Sequence, residues 1–339
     1  SYVRNIRKSG LTIYDPIEIG DPNLWIPAPA LESLLNNTLR GLSLAGLPLR
    51  TRSKVVKTAV CEALGYPVPK SFAKKQPRLP GQLFDTYAQK SNHLQIWNEA
   101  LSPTRRYVII QVSDAAIVQR VKVVTGDTLS QLDMTGTLTQ KYQARLNCKD
   151  QAAELISATD TEVLSPALNP AVILRGVSPT SNPGVGALLP ISMVFKRLQS
   201  LIGVSFPDSG HDQERRRGAD LHRLVCQSLG YTTYADDGQF PDVRNQVLEV
   251  KLQTAQTIDL GLVRPNSIDP LDVPRFLDKQ LRHCDVRYAL FYATTNGTTV
   301  TITHFFLTTG EAFFSRFPQF QGKVLNAKLQ IPLPTDFFE

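Results

Sequence analysis

The apolar residues of this chain recur in two rhythms. Between 51 and 64, Val55, Val56, Ala59, Val60, Ala63 and Leu64 return at helical spacing and share one face. Thr51 or Ser53 offers a starting cap, and Gly65 with Pro67 closes the end. Similar patterning predicts helices over 29–41, Ile191–Ile202 and Gln213–Leu229, the last ended by Gly230. Elsewhere the chain reads as strand. Residues 94–98, 106–112 and 117–124 are dense in β-branched and aromatic side chains, and further strands fit 246–253, 287–293 and 299–307. Thr294–Thr298, with Asn296 and Gly297 inside it, is the turn between the last two.

This order predicts an α/β (α+β) protein in two parts. Residues 1–165 read as a separate domain of paired helices beside a mostly antiparallel sheet. Residues 166–190, with Pro166, Pro170, Pro179, Pro183 and Pro190 in or around them, read as a linker. Residues 191–339 alternate helix and strand, as expected of a mixed sheet flanked by helices. No internal repeat is legible. Gly184-Val185-Gly186 is not a nucleotide loop, because the third glycine is missing and no strand leads in.

Composition narrows the class. With 42% hydrophobic and 20% charged residues the chain reads as globular. No apolar run approaches the roughly 20 residues that span a bilayer, so no membrane partner is expected. Without a basic-then-apolar leader the expectation is a cytoplasmic protein. Cys61, Cys148, Cys226 and Cys284 stand far apart and read as free thiols in a reducing compartment. The net charge of +7 is uneven: residues 1–160 carry 20 basic and 13 acidic side chains, the remainder 17 of each. The front half is thus suited to a polyanion.

The segment Phe240–Gln253, FPDVRNQVLEVKLQ, carries the chemistry. As a strand it turns Leu248, Val250 and Leu252 to one face and Glu249, Lys251 and Gln253 to the other. A bend through 243–246 would bring Asp242 beside Glu249. Two carboxylates so placed repel, and a hard cation such as Mg²⁺ relieves the repulsion by taking their oxygens as ligands. A lysine alongside would orient a water for attack on a phosphodiester.

Pro241-Asp242, six residues, then Glu249-Val250-Lys251 resembles the signature of the PD-(D/E)XK nuclease superfamily. The resemblance covers roughly residues 190–310. It implies a mixed sheet with flanking helices, Asp242 and Glu249 as ligands of Mg²⁺, a catalytic Lys251, and DNA cut to 5′-phosphate and 3′-hydroxyl ends. Such proteins often recruit an acid from the helix before the motif. Glu214 is the natural candidate here and Asp220 its rival, while Gln253 matches a polar position two residues beyond the lysine. Arg215, Arg216 and Arg217 either hold phosphates or face solvent. His211, His222 and His304 are single histidines without metal spacing.

A nuclease that spares its host must read sequence, and reading needs phosphate contacts as well as base contacts. Arg50, Arg52, Lys54, Lys57, Lys74, Lys75 and Arg78 form the basic cluster expected to meet phosphates, with Lys54 and Lys57 on the outer face of the 51–64 helix. Gln89, Asn92, Gln95, Asn98, Arg105 and Arg106 are the candidates for base edges, with Trp97 and Tyr107 filling the sheet's core. The leading expectation is a sequence-specific, Mg²⁺-dependent endonuclease of double-stranded DNA, a type II enzyme of a restriction-modification system. By analogy with palindrome cutters, whose two strands need two sites, its partner would be a second copy in a homodimer, with a monomer cutting one strand at a time as the alternative. The alternatives are a structure-selective repair nuclease and a non-catalytic DNA-binding protein with a degenerate nuclease domain.

Overall fold

The computed structural model describes residues 1–90, 92–97, 101–132, 142–147, 151–208, 213–321 and 328–339. In chain order the helices are α1 (Tyr2–Ser9), α2 (Ala28–Leu39), α3 (Leu49–Leu64), α4 (Gly126–Gln131), α5 (Ile191–Leu198), α6 (Gln213–Leu229) and α7 (Phe313–Arg316). The strands begin with β1 (Phe84–Gln89), β2 (His93–Trp97), β3 (Arg106–Val112), β4 (Val118–Thr125), β5 (Tyr142–Arg145) and β6 (Ala153–Leu155). They continue with β7 (Ser205–Pro207), β8 (Leu248–Gln253), β9 (Thr257–Gly261), β10 (Arg287–Thr295), β11 (Thr299–Thr309), β12 (Gln319–Gln321) and β13 (Lys328–Pro332). The fold is mixed α and β. No helix among the described residues is long and apolar enough to cross a membrane.

Two compact units divide the chain. The first comprises Ser1–Lys141, Asp272–Pro274 and Lys323–Glu339, and the second Tyr142–Leu271 with Arg275–Gly322. In the first, α3 starts one residue after Pro48, earlier than the Thr51 or Ser53 cap expected, and ends at Gly65 with φ 88°. Its buried face, Val56, Val60, Cys61 and Leu64, joins Leu31 and Leu35 of α2 over Val108, Ile110, Val121 and Val123 of the sheet. That sheet is mixed, with the order β1-β3-β4, β1 parallel to β3 and β3 antiparallel to β4. In a second sheet of the unit β2 pairs antiparallel with β13, so the mostly antiparallel expectation holds with one parallel pair. β1 itself was hidden because Asp85 and Thr86 interrupt its apolar pattern.

The second unit orders its main sheet β6-β11-β10-β8, with β7 also paired to β11, and places β8 parallel to β10. α5 and α6 bury Val194, Leu198, Leu221, Val225 and Leu229 in one core with Leu248, Ala289, Phe291, Phe305 and Leu307. The segment 166–190 is part of this unit rather than a linker between two. Its prolines punctuate turns, and between them Leu174 and Leu189 enter the same core.

The two units repeat one architecture. In each, a helix pair covers a three-strand core whose first strand is parallel to the second and whose second is antiparallel to the third: β1-β3-β4 and β8-β10-β11. The register agrees, Phe84 facing Arg106 and Leu248 facing Arg287. A buried glutamine closes the same circuit twice. Gln82 Oε1 accepts from Ile26 N at 3.1 Å and its Nε2 donates to Leu24 O at 2.8 Å. Gln246 does the same with Leu189 N at 2.9 Å and Ala187 O at 2.8 Å.

Beside each glutamine lies a buried arginine. Arg106 donates to the carbonyls of Ile26 and Gln82, and Arg287 to those of Leu189 and Gln246. Each arginine faces an aspartate, Asp272 at 3.8 Å and Asp160 at 3.6 Å. Those aspartates accept the first backbone N–H of α2 and α5, from Ala28 at 2.9 Å and Ile191 at 2.8 Å. Gly126 and Gly310 end the repeat at matching positions, where an added Cβ would lie 2.0 Å from Ser102 O and 2.3 Å from Pro265 O. Apart from the two aspartates, which enter from different points of the chain, the matched contacts follow the same chain order and make the protein a structural duplication. This corrects the reading of no internal repeat. The shared scaffold is held by backbone bonds that most side chains can border, so only a few positions needed to stay alike.

Candidate active site

Asp242 stands at the entrance of a tight turn. Behind it is the cis Phe240–Pro241 bond, and ahead the chain makes a 3₁₀ turn over Arg244–Gln246. Val247 then takes φ 50°, a left-handed conformation that a β-branched side chain resists. Packing over-determines it. Val243 N donates to Leu248 O at 2.9 Å and Leu248 N to Val243 O at 3.2 Å. Arg244 is buried and grips both Asp237 oxygens at 2.8 and 2.9 Å, while Tyr231 Oη donates to Asn245 Oδ1 at 2.8 Å.

This turn brings residues seven apart side by side. Asp242 N donates to Glu249 Oε2 at 3.2 Å, and Val250 N donates to Asp242 Oδ2 at 3.0 Å. Lys251 Nζ lies 3.5 Å from Glu249 Oε1. The alternation expected of the strand is present: Leu248 is core, Val250 and Leu252 pack against it, and Glu249 and Lys251 project from the other face. β8 is also an end strand of its sheet, paired with β10 alone among the described residues.

Burial and like charge dominate the electrostatics of the pair. Glu249 is 5% exposed, and burial followed by the charge of Asp242 pushes its carboxyl well above the usual range. Asp242 is pushed up in the same direction, by burial and then by Asp236. Lys251 and the backbone N–H groups pull both the other way without prevailing. Two acidic groups that cannot both ionise comfortably form a donor set that fits a hard divalent cation. Mg²⁺ characteristically takes one or two carboxylates and fills its remaining positions with water and substrate oxygens. Among the described residues no cluster of three or more His, Cys, Asp or Glu side chains forms a complete metal cage.

The other expected members of the site divide. Gln253 lies two residues beyond Lys251, half-buried, with no bond to the carboxylate pair. Glu214 is in the first turn of α6, but its side chain lies outside the described residues. Asp220 makes no hydrogen bond or ion pair with Asp242 or Glu249. Arg217 is committed to Asp208, at 2.8 and 2.6 Å, and is buried there rather than free for phosphate. The sequence reading missed Asp236, whose charge raises Asp242, and the buried pair His222 and Cys226, 3.5 Å apart on α6. An acid within six residues of Pro241 was the available signal for the first.

Of the residues expected to meet DNA, Arg50, Lys54, Lys74 and Lys75 are exposed. Arg52 donates from Nε to Leu47 O at 2.8 Å. Lys57 corrects the outer-face assignment: it is 5% exposed, its Nζ donating to Ser53 Oγ at 2.8 Å. Arg105 and Arg106 are also corrected. Arg105 is buried over the Tyr107 ring with Nη2 on Tyr107 Oη at 2.8 Å, and Arg106 stacks 4.0 Å from Trp25 within the carbonyl cage already described. Neither reaches solvent, because each satisfies the backbone or rings that surround it. Asn98 lies outside the described residues, as does the side chain of Trp97, while Asn92 and Gln95 are exposed. Comparison of the chain with known families, characterised proteins and solved structures gives no match.

Proposed function

We propose that the chain is a metal-dependent endonuclease of double-stranded DNA, of the PD-(D/E)XK and type II restriction kind. The observation that carries this reading is the turn that sets Asp242 against Glu249 with Lys251 at 3.5 Å. Asp242 and Glu249 would hold Mg²⁺, which when bound supplies Lewis-acid stabilisation of phosphoryl charge and lowers the pKa of attacking water.

The chain's own residues do the rest. The 3₁₀ turn and Arg244 fix the two carboxylates before metal or substrate arrives, so little reorganisation is left for the reaction. Lys251 is positioned on the same strand face to orient water and to meet charge developing on the scissile phosphate. The end-strand position of β8 leaves one flank of this face without a strand partner.

The test is incubation of the purified protein with DNAs of known sequence, with Mg²⁺ and with chelator. Discrete fragments with 5′-phosphate ends are expected only with Mg²⁺. Asp242→Asn and Glu249→Gln should remove cleavage while DNA binding persists, and Lys251→Ala should slow it at least about a hundredfold. Full-rate cutting by Glu249→Gln would refute the assignment.

A further inference from the structure

The duplication allows the candidate active site to be located a second time, in the first unit. Its turn is entered through the cis Gln76–Pro77 bond, passes the 3₁₀ turn Pro80–Gln82, and leaves through Leu83 at φ 52° into β1. Leu79 and Phe84 exchange the same backbone bonds as Val243 and Leu248. Arg78 N donates to Asp85 Oδ1 at 3.0 Å, as Asp242 N does to Glu249 Oε2. Leu64-Gly65-Tyr66 ends α3 as Leu229-Gly230-Tyr231 ends α6, which sets Cys61 against Cys226 and Lys57 against His222.

The chemistry at these matched positions is inverted. Arg78 stands for Asp242, Asp85 for Glu249, Tyr87 for Lys251 and Lys57 for His222. A metal would find one carboxylate among cations. Around the same turn an open cleft of about 450 Å³ is lined by Arg50, Lys54, Lys57, Lys70 and Arg78, together with Leu49, Phe72 and two serines. Arg78 Nε is buried without a hydrogen-bond partner. Lys57 is buried beside it, its charge 5.6 Å from the Phe72 ring centroid. Burial, and then Arg78, lower the Lys57 pKa, and the charge of Asp85 offsets this only in part. Asp85 is held among Arg78, Arg105 and Lys57, whose charges oppose the upward push of burial.

We infer that this first-unit cleft is a metal-independent phosphate-binding site, the charge-inverted counterpart of the carboxylate site, and that it grips a backbone phosphate of DNA. Arg78 and Lys57 supply donors at the cleft floor, and Arg50, Lys54 and Lys70 supply the field at its mouth. The inference rests on the nuclease reading only for the owner of the phosphate.

The experiment measures binding of the full chain to a fluorescein-labelled DNA duplex by anisotropy, in chelator, across a series of salt concentrations. The variants are Arg78→Ala and the exposed charge reversal Lys54→Glu. Arg175→Glu, exposed in the second unit, serves as the charge-matched control. With native melting temperatures, the first two should each weaken duplex binding about tenfold and reduce the slope of log K against log salt by about one, the control changing neither by as much. Inorganic phosphate is added as competitor in a second arm. Displacement of the duplex at the intact cleft, but not in Arg78→Ala, would assign the site to free phosphate as well as to DNA. Affinity and slope unchanged in both variants would overturn the inference, whatever the Mg²⁺ assay shows. Loss of Mg²⁺-dependent cutting with these binding effects intact would instead remove only the nuclease reading.

Discussion

Replacing Glu249 by glutamine should abolish cleavage and, at high pH without metal, stabilise the protein. Glu249 sits at 5% exposure with Asp242 bonded to it through its backbone N–H at 3.2 Å. Its carboxyl is pushed from 4.5 up to about 8, first by burial and then by Asp242. The folded state therefore holds a proton that the unfolded chain releases. Stability falls as pH rises from the ordinary carboxylate range through the raised folded value, and is level above it. Ionising a carboxyl buried beside a second one carries a penalty of about 3 kcal/mol, the order expected for a partly compensated buried charge. Glutamine keeps the shape and an accepting oxygen but removes the charge. It forfeits about 1 kcal/mol of ion pairing with Lys251 and about 1 kcal/mol of hydrogen-bond strength. The net gain is about 1 kcal/mol.

For a unit of this size that gain is a rise in melting temperature of about 2–4 °C near pH 9, shrinking to nothing or reversing near pH 5, where the wild-type carboxyl is already neutral. Thermal melts of both proteins in chelator across this range provide the assay. Mg²⁺ at about a hundredfold excess over its dissociation constant should then add about 2.7 kcal/mol to wild type alone. A Glu249→Gln variant that loses the same stability at both pH values would refute the reasoning. The carboxylate would then be a structural partner of Lys251 and the Asp242 N–H, not a ligand held against repulsion.

Other consequences can be measured independently. Arg106→Met and Arg287→Met each remove an aspartate's counter-ion and strand several buried carbonyls, and each should cost about 3–5 kcal/mol by denaturant titration. Gly126→Ala and Gly310→Ala should both destabilise by more than about 2 kcal/mol, because a Cβ would lie 2.0 and 2.3 Å from backbone oxygens that cannot move cheaply. Burial pushes the Cys61 and Cys226 thiols up to about 12, so in native protein at about pH 8 both should resist alkylation and react only after unfolding, as read by peptide mass mapping.

Elements whose residues bury one clean face were legible in the sequence. α6 was predicted with its observed ends, and β8 with its alternating faces, because Leu248, Val250 and Leu252 must meet the core while Glu249 and Lys251 cannot. The bend joining Asp242 to Glu249 was also foreseeable from Pro241 and the six-residue gap. What could not be read was where long-range bonds lead. Arg105 and Arg106 look like surface cations in sequence; the hydroxyl and ring of Tyr107 explain the burial of the first, and the carbonyls of Ile26 and Gln82 with the ring of Trp25 that of the second. Parallel pairing of β1 with β3 depends on a connection whose path local patterning does not encode. The duplication left Leu-Gly-Tyr at 64–66 and 229–231, Arg-Tyr at 106–107 and 287–288, and the glutamines 82 and 246. These are too sparse for a repeat search, yet each marks a contact on which the scaffold depends.

The same few conserved contacts also give a reason for the uneven charge of the chain. A scaffold held by a glutamine circuit and an arginine cage does not depend on which charges line its turn, so the turn is free to change sign. In the second unit the change of ligand would be toward a cation, with Asp242 and Glu249 strained by mutual repulsion. In the first it would be toward an anion, with Arg78 and Lys57 crowding each other in turn. In each cleft like charge adds to the cost of burial, offset only in part by Asp85 in the first and Lys251 in the second, and an ion of opposite sign would relieve it. A DNA duplex with its Mg²⁺ carries both. On this argument the +7 charge of residues 1–160 is not a diffuse attraction for polyanions. A defined part of it is concentrated at one turn, where salt should screen binding in discrete steps that follow Arg78 and Lys54.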